Sequence, residues 1–239
     1  MIKKATVLFL GMLGLAFGYL WAVGGFSSIP TQVAYAATMP ATPNIIYLGA
    51  PESLTPEISA MMRKNNMELG GSWRNFAQDQ LARPLDALIF DNSALQEMNA
   101  EDHHWLRGRL EDGVIVVGIG VNLEKFANSL DLDSFYFPGN ARVSLEPQEY
   151  MIFTGFLAGT AEDVAVLRAN NWLERSLKGE DTSIPGIKFP AIMSQGQQFG
   201  SFNDADGFGR FQRSLTEFID GTYQDRADNA KAIANFPKR

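Results

Sequence analysis

The sequence predicts an α/β protein: a three-layer sandwich with a mainly parallel sheet, preceded by an N-terminal hydrophobic helix. Three observations carry this. Short uninterrupted apolar runs at Asn44–Gly49, Leu85–Asp91 and Val114–Val121 alternate with amphipathic stretches at helical spacing. A strand that is apolar on both faces needs cover on both faces, the usual sign of a parallel sheet between helix layers. Of 239 residues, 46% are hydrophobic and 20% charged, a balance that packs a core and lies outside disordered composition. Finally, Lys3 and Lys4 precede an uncharged run of 22 residues, Ala5 to Phe26.

That run reaches the about 20 apolar residues of a spanning helix and exceeds the about 7–15 of a signal-peptide core. Yet Ala34-Tyr35-Ala36 carries the small-x-small pattern of a signal-peptidase site. Two readings of residues 1–36 stay open: a cleaved signal peptide, or an anchor that crosses the membrane through residues 5–26. Both keep the two lysines in the cytoplasm and export everything after about residue 37. The expected location is extracytoplasmic, either secreted or periplasmic or anchored to the outer face of the cytoplasmic membrane. The chain has no cysteine, which excludes disulfides, thiolate metal sites and Cys nucleophiles. An exported domain without disulfides must be held by its core. Net charge is −7, so the basic face of a general nucleic-acid binder is not expected.

Residues 37–43 read as a tether and 44–222 as the α/β domain. Asn44–Gly49 is the first strand. Thr55 caps a helix that opens on Pro56, with Ile58, Met61, Met62 and Leu69 on one face. Asn66–Gly70 is a brief second strand, and Ser72 caps a helix that turns Trp73 and Phe76 inward. Leu85–Asp91 is a central strand, and a helix follows from Asn99 to Leu110. Gly113 stops it before the strand Val114–Val121, and Asn122 caps a helix to Leu130. Phe135–Phe137 is a fifth short strand, Tyr150–Leu157 a sixth. Thr160 caps a helix to Leu177 with Val166, Ala169, Leu173 and Leu177 as its apolar stripe, and Glu174 pairs with Lys178. Residues 179–200 read as a long Gly-, Ser- and Gln-rich loop around one short strand, Phe189–Met193. A last helix carries Phe208, Phe211, Leu215, Phe218 and Ile219 at helical spacing. Residues 223–239 read as a polar C-terminal tail.

The segments NNMELGGSW, RPLDALIFDNS, EDGVIVVGIGV and LDSFYFPGN resemble the second to fifth strands of a response-regulator receiver domain, which has a flavodoxin-like fold. The resemblance covers residues 44–138. It places Asp91 where receivers carry their phospho-acceptor. The rest of that chemistry is missing from the sequence. The first strand ends Leu48-Gly49-Ala50 instead of in an acidic pair, the fourth ends Gly118-Ile119-Gly120 instead of in Ser or Thr, and Phe137 stands where receivers have a lysine before proline. The resemblance therefore implies a flavodoxin-like sheet without phosphorylation, and many unrelated activities share that sheet.

In an open parallel sheet, ligands bind at the carboxyl ends of the strands. The candidate crevice is Glu52, Asp91, Asn92, Gly118, Gly120 and Asn122, where glycines admit a ligand to the backbone and the side chains offer polar groups. Equally, Asp91 and Asn92 can simply end a strand and cap a turn. Gly118-x-Gly120-x-x-Leu123 lacks the third glycine of a dinucleotide fingerprint, and no P-loop or nucleophile elbow is present. His103 and His104 are the only histidines, and adjacent helical residues cannot chelate one metal. Asn203–Gly207 starts like a calcium loop, but Arg213 stands where an EF-hand needs its bidentate Glu. No metal or cofactor is implied. The expected function is a non-catalytic ligand-binding or protein-interaction module. The partner is a small ligand or a protein, with the membrane added if residues 5–26 are retained. The alternative is an envelope hydrolase or transferase that uses Asp91 and Glu52.

Overall fold

The first four strands, three of them the apolar runs, lie side by side in one direction. In the computed structural model, which describes residues 42–50, 55–64, 67–79, 83–132, 144–185, 187 and 193–235, these are β1 (Ile45–Leu48), β2 (Glu68–Gly71), β3 (Ala87–Phe90) and β4 (Ile115–Ile119). They pair in parallel in the order β2-β1-β3-β4. The sheet then continues through β5 (Glu149–Leu157) and β6 (Met193–Ser201), and both of those pairings are antiparallel.

The six-stranded sheet is therefore mixed, which corrects the expectation of a mainly parallel flavodoxin-like sheet. After β4 the chain runs through α5 (Leu123–Ser129) and returns to the carboxyl end of β4, where the Gly120 N–H donates to the Glu149 carbonyl at 2.9 Å. A strand that begins there can only run back along β4. The sequence of β5 does not reveal this. It is buried on both faces, so it reads as a continuous apolar run in either direction. Phe135–Phe137 lies outside the described residues, as do residues 1–41, including the apolar run. Among the described residues no helix is long and apolar enough to cross a membrane.

Helices cover both faces. On one side, α2 (Trp73–Asp79), α3 (Asn92–Glu97), α4 (Ala100–Glu111), α5, α6 (Ala161–Ala169) and α7 (Trp172–Leu177) pack over Ile46, Leu88, Phe90, Val116 and Phe153. On the other, α1 (Pro56–Lys64) contributes Met62, and α8 (Gly207–Asn235) contributes Phe211, Leu215, Ile219 and Tyr223 against Tyr47, Ile89, Val117 and Ile152. The caps are those the sequence offers. Asn99 and Thr160 each form a capping box, with Asp102 and Asp163.

Three further elements depart from expectation. The helix from Thr160 breaks at Asn170–Asn171, where Asn171 takes the left-handed region (φ 48°) that Asn tolerates. Its buried apolar residues are consequently Leu167 and Leu173, while Val166 is exposed. The supposed loop 179–200 ends in the nine-residue strand β6. Its glycines are a fit to cover, since a Cβ at Gly196 would lie 2.8 Å from the Phe218 ring and one at Gly200 2.3 Å from the Tyr150 ring. The supposed tail from 223 onward is helix as far as Asn235. Leu69, expected on the face of the first helix, sits on β2 and is 40% exposed.

Polar side chains tie α8 to the sheet. The Tyr223 hydroxyl donates to Asp86 at 2.7 Å, and the Asn44 N–H donates to the same carboxyl group at 2.7 Å. Burial, reinforced by Asp86, pushes the Tyr223 phenol well above its ordinary range. Burial likewise raises Tyr150, although Arg210 opposes the shift. On the other side of the molecule, buried Glu111 accepts from Arg107 at 2.7 Å and from Arg168 at 3.0 Å.

Candidate functional site

The carboxyl ends of β1, β3 and β4 meet, and Asp91 lies among them. It is the N-cap of α3, in extended backbone, and 6% exposed. One carboxylate oxygen, Oδ1, accepts from the Ser93 N–H (2.8 Å), the Ser93 hydroxyl (2.6 Å) and the Ala94 N–H (3.0 Å). The other, Oδ2, accepts from the Tyr47 hydroxyl (2.9 Å) and the Ala50 N–H (3.0 Å). Each of these five partners donates, which suits an acceptor-only carboxylate. Gly49 makes the arrangement possible. Its φ is 152°, and a Cβ there would lie 2.2 Å from the Asp91 carboxyl carbon.

Asn92 bridges to the next strand. Its Nδ2 donates to the Gly120 carbonyl at 2.7 Å, and its Oδ1 accepts from the Asn122 N–H at 3.0 Å. Asn122 in turn caps α5 by accepting from the Lys125 N–H at 3.0 Å, and donates to the Ser144 hydroxyl at 3.0 Å. Gly120 has φ 57°, and a Cβ there would come within 2.8 Å of Pro147. Gly118 does not face the crevice. It is buried, and a Cβ would strike Val121 at 2.6 Å. Glu52 lies outside the described residues.

The structure thus brings Asp91, Asn92 and Gly120 to one cleft of about 350 Å³. Asn122 stands behind it as a cap, and Gly118 is excluded from it. Its lining also includes five residues that the reading of the sequence did not select: Tyr47, Ser93, Gln96, Ile119 and Pro147. Tyr47 was findable, as the one polar side chain in the β1 run Ile-Ile-Tyr-Leu. Gln96 and Pro147 come from a short helix and a loop with no pattern that points inward.

The chemistry available in the cleft is limited. Its two hydroxyls, of Tyr47 and Ser93, both already donate to the Asp91 carboxylate, which holds the other donors above as well. The histidines lie on α4, with His103 half-buried and His104 exposed, and neither lines the cleft. A general base needs hydrogen-bond reach to the proton it removes, and an Asp91 ringed by donors offers little of that. Among the described residues no group of three His, Asp or Glu side chains could hold a metal ion. The Asn203–Gly207 turn pairs its acids with cations instead: Asp204 with Arg210 at 2.6 Å and Asp206 with Arg213 at 2.9 Å. Compared with known proteins, this chain matches no family model, no curated protein and no solved structure.

Proposed function

We propose that the chain is a non-catalytic binding module, exported across a cytoplasmic membrane or anchored to its outer face, that takes a small neutral ligand in the cleft between β1, β3 and β4. One observation carries the reading: five donors surround the Asp91 carboxylate, so the residue best placed for catalysis serves to join strand ends. The amide of Gln96 and the apolar surfaces of Tyr47, Ile119 and Pro147 are the groups such a ligand would meet. A cleft of this kind, mostly apolar with a few polar groups, is the usual form of a small-molecule site.

The test is a thermal-unfolding screen of the full chain against uncharged metabolites and sugars, repeated on Gln96→Trp, which narrows the cleft and leaves the Asp91 bonds intact. A ligand at about 100 times its Kd adds about 2.7 kcal/mol, roughly 5–11 °C for a domain of this size. The wild type should shift and Gln96→Trp should not. Chemical turnover of the bound molecule, abolished by Asp91→Asn, would overturn the reading. So would a screen in which nothing shifts.

A further inference from the structure

The polar side chains that line the cleft differ in what they already hold. The Tyr47 and Ser93 hydroxyls donate to Asp91 at 2.9 and 2.6 Å, and the Ser93 hydroxyl also accepts from the Ala50 N–H at 2.9 Å. Asn92 spans the Gly120 carbonyl and the Asn122 N–H at 2.7 and 3.0 Å. Among the described polar side chains of the lining, that of Gln96 alone makes no hydrogen bond to the protein.

Gln96 is nonetheless firmly placed. It follows Asn92 by four residues and Ser93 by three, so the three share one face of α3, and that face lines the cleft. α3 is pinned at both ends. Asp91 caps its first turn, and Glu97 in its last turn accepts from the Arg74 N–H at 3.0 Å. A fixed helix thus presents an uncommitted carboxamide at the exposed rim of the cleft.

A carboxamide sets a carbonyl acceptor beside N–H donors. Its complement is an N–H beside a C=O on one edge of a neutral molecule. Taking the cleft as the binding site argued above, we propose that its ligand presents such a cis-amide edge, as in a lactam, a cyclic imide or a primary carboxamide, and that Gln96 pairs with that edge through two hydrogen bonds. Other classes fit less well. Asp91 is the one charged residue of the described lining, so an anion meets like charge, while a cation meets a carboxylate that already holds five donors. A polyol brings several hydroxyls to one uncommitted side chain, and burying an unmatched polar group costs free energy. An apolar ligand leaves the amide without a partner. A cis-amide edge matches both functions of Gln96, and the apolar remainder rests on Ile119 and Pro147.

The experiment titrates benzamide and acetophenone into the full chain in detergent, read by saturation-transfer NMR. The two probes share a shape, but acetophenone has a methyl group where benzamide has its N–H donors. Gln96→Trp, with its narrowed cleft, is the blank for uptake by the detergent. Melting temperature and circular dichroism establish that each variant is folded. The wild type should bind benzamide. Gln96→Leu should lower the ratio of benzamide to acetophenone affinity by about 2–10-fold, the worth of one hydrogen bond. Gln96→Glu leaves acceptors only, so it should bind benzamidinium, which has the same shape and only donors, more tightly than the wild type does, and benzamide less tightly. A ratio that Gln96→Leu leaves unchanged, with both probes still excluded by Gln96→Trp, overturns the cis-amide edge and leaves the cleft as a site. So does a Gln96→Glu variant that gains nothing for benzamidinium. Failure of both probes to bind above the blank also overturns the pairing, whereas the cleft itself falls only if the wider screen of uncharged metabolites and sugars finds no ligand either.

Discussion

Replacing Asp91 by alanine should cost stability in proportion to the donors it leaves behind. Two of those donors, the N–H groups of Ser93 and Ala94, open α3, and losing such a cap costs about 0.5–2 kcal/mol. The Tyr47 hydroxyl, on a side chain 1% exposed, loses its Asp91 acceptor, which costs about a further 1–3 kcal/mol. The Ala50 N–H adds little, because it also donates to the Ser93 hydroxyl oxygen at 2.9 Å. The total is about 3 kcal/mol, a large share of the about 5–15 kcal/mol that holds a typical domain. It corresponds to a melting temperature lower by roughly 6–12 °C. The distinguishing measurement is a double-mutant cycle with Tyr47→Phe, followed by urea unfolding with tryptophan fluorescence. Once the hydroxyl is gone, losing Asp91 should hurt less, and the cycle should return a coupling of about 1–2 kcal/mol. If Asp91→Ala costs under about 1 kcal/mol, or the two substitutions add within about 0.5 kcal/mol, the carboxylate is not what joins these strand ends.

Other outcomes follow from particular contacts. Tyr223→Phe removes the 2.7 Å bond to Asp86 and should cost about 1–3 kcal/mol in urea unfolding. The pH dependence has a definite sign. Folding raises the Tyr223 pKa above its ordinary 10.0, so the folded state keeps its phenol proton where the unfolded chain loses it. That contribution is complete below pH 10 and is lost as pH rises above it, so unfolding free energies measured on the alkaline side should fall less steeply in Tyr223→Phe than in the wild type. Gly200→Ala forces a methyl to 2.3 Å from the Tyr150 ring and should cost about 1–3 kcal/mol by thermal melting. Arg168→Ala takes one of two cations from buried Glu111 and the 2.8 Å partner from Asp112. With Arg107 still in place at 2.7 Å, the loss should be about 1–3 kcal/mol in the same assay.

Much of the candidate site was legible because it depends on neighbours in sequence. Asp91 ends an apolar run and precedes Asn-Ser, so its capping of α3 is a local matter, as is the capping of α5 by Asn122. Three of the six selected positions, Asp91, Asn92 and Gly120, line the cleft. Gly118 was misplaced because a glycine in a strand can admit either a ligand or a neighbouring side chain, and here Val121 occupies the space. Tyr47 stood out as the one polar side chain of its strand, whereas Pro147 reaches the cleft only through contacts across a long stretch of chain, which no local pattern reports.

The sequence alone determined the α/β class, the caps at Asn122 and Thr160 and the three central apolar strands, because each follows from residues a few positions apart; the short helix α3 after β3 read only as a turn. Tertiary structure decided the rest. β5 runs antiparallel because the chain re-enters the sheet at the carboxyl end of β4, a matter of connection geometry that a strand buried on both faces cannot record. β6 is a strand because β5 offers nine residues of backbone, and Phe218 of α8 packs over Gly196 and Tyr150 of β5 over Gly200, although its own residues read as a loop. The helix carries on through residue 226 because Tyr223 and Arg226 are buried, Tyr223 against Asp86 and Arg226 against the carbonyl of Asp112, and the alanines at 227, 230, 232 and 234 extend it to Asn235. In β6, long-range burial and hydrogen bonding outweighed a local preference of a few tenths of a kcal/mol per residue.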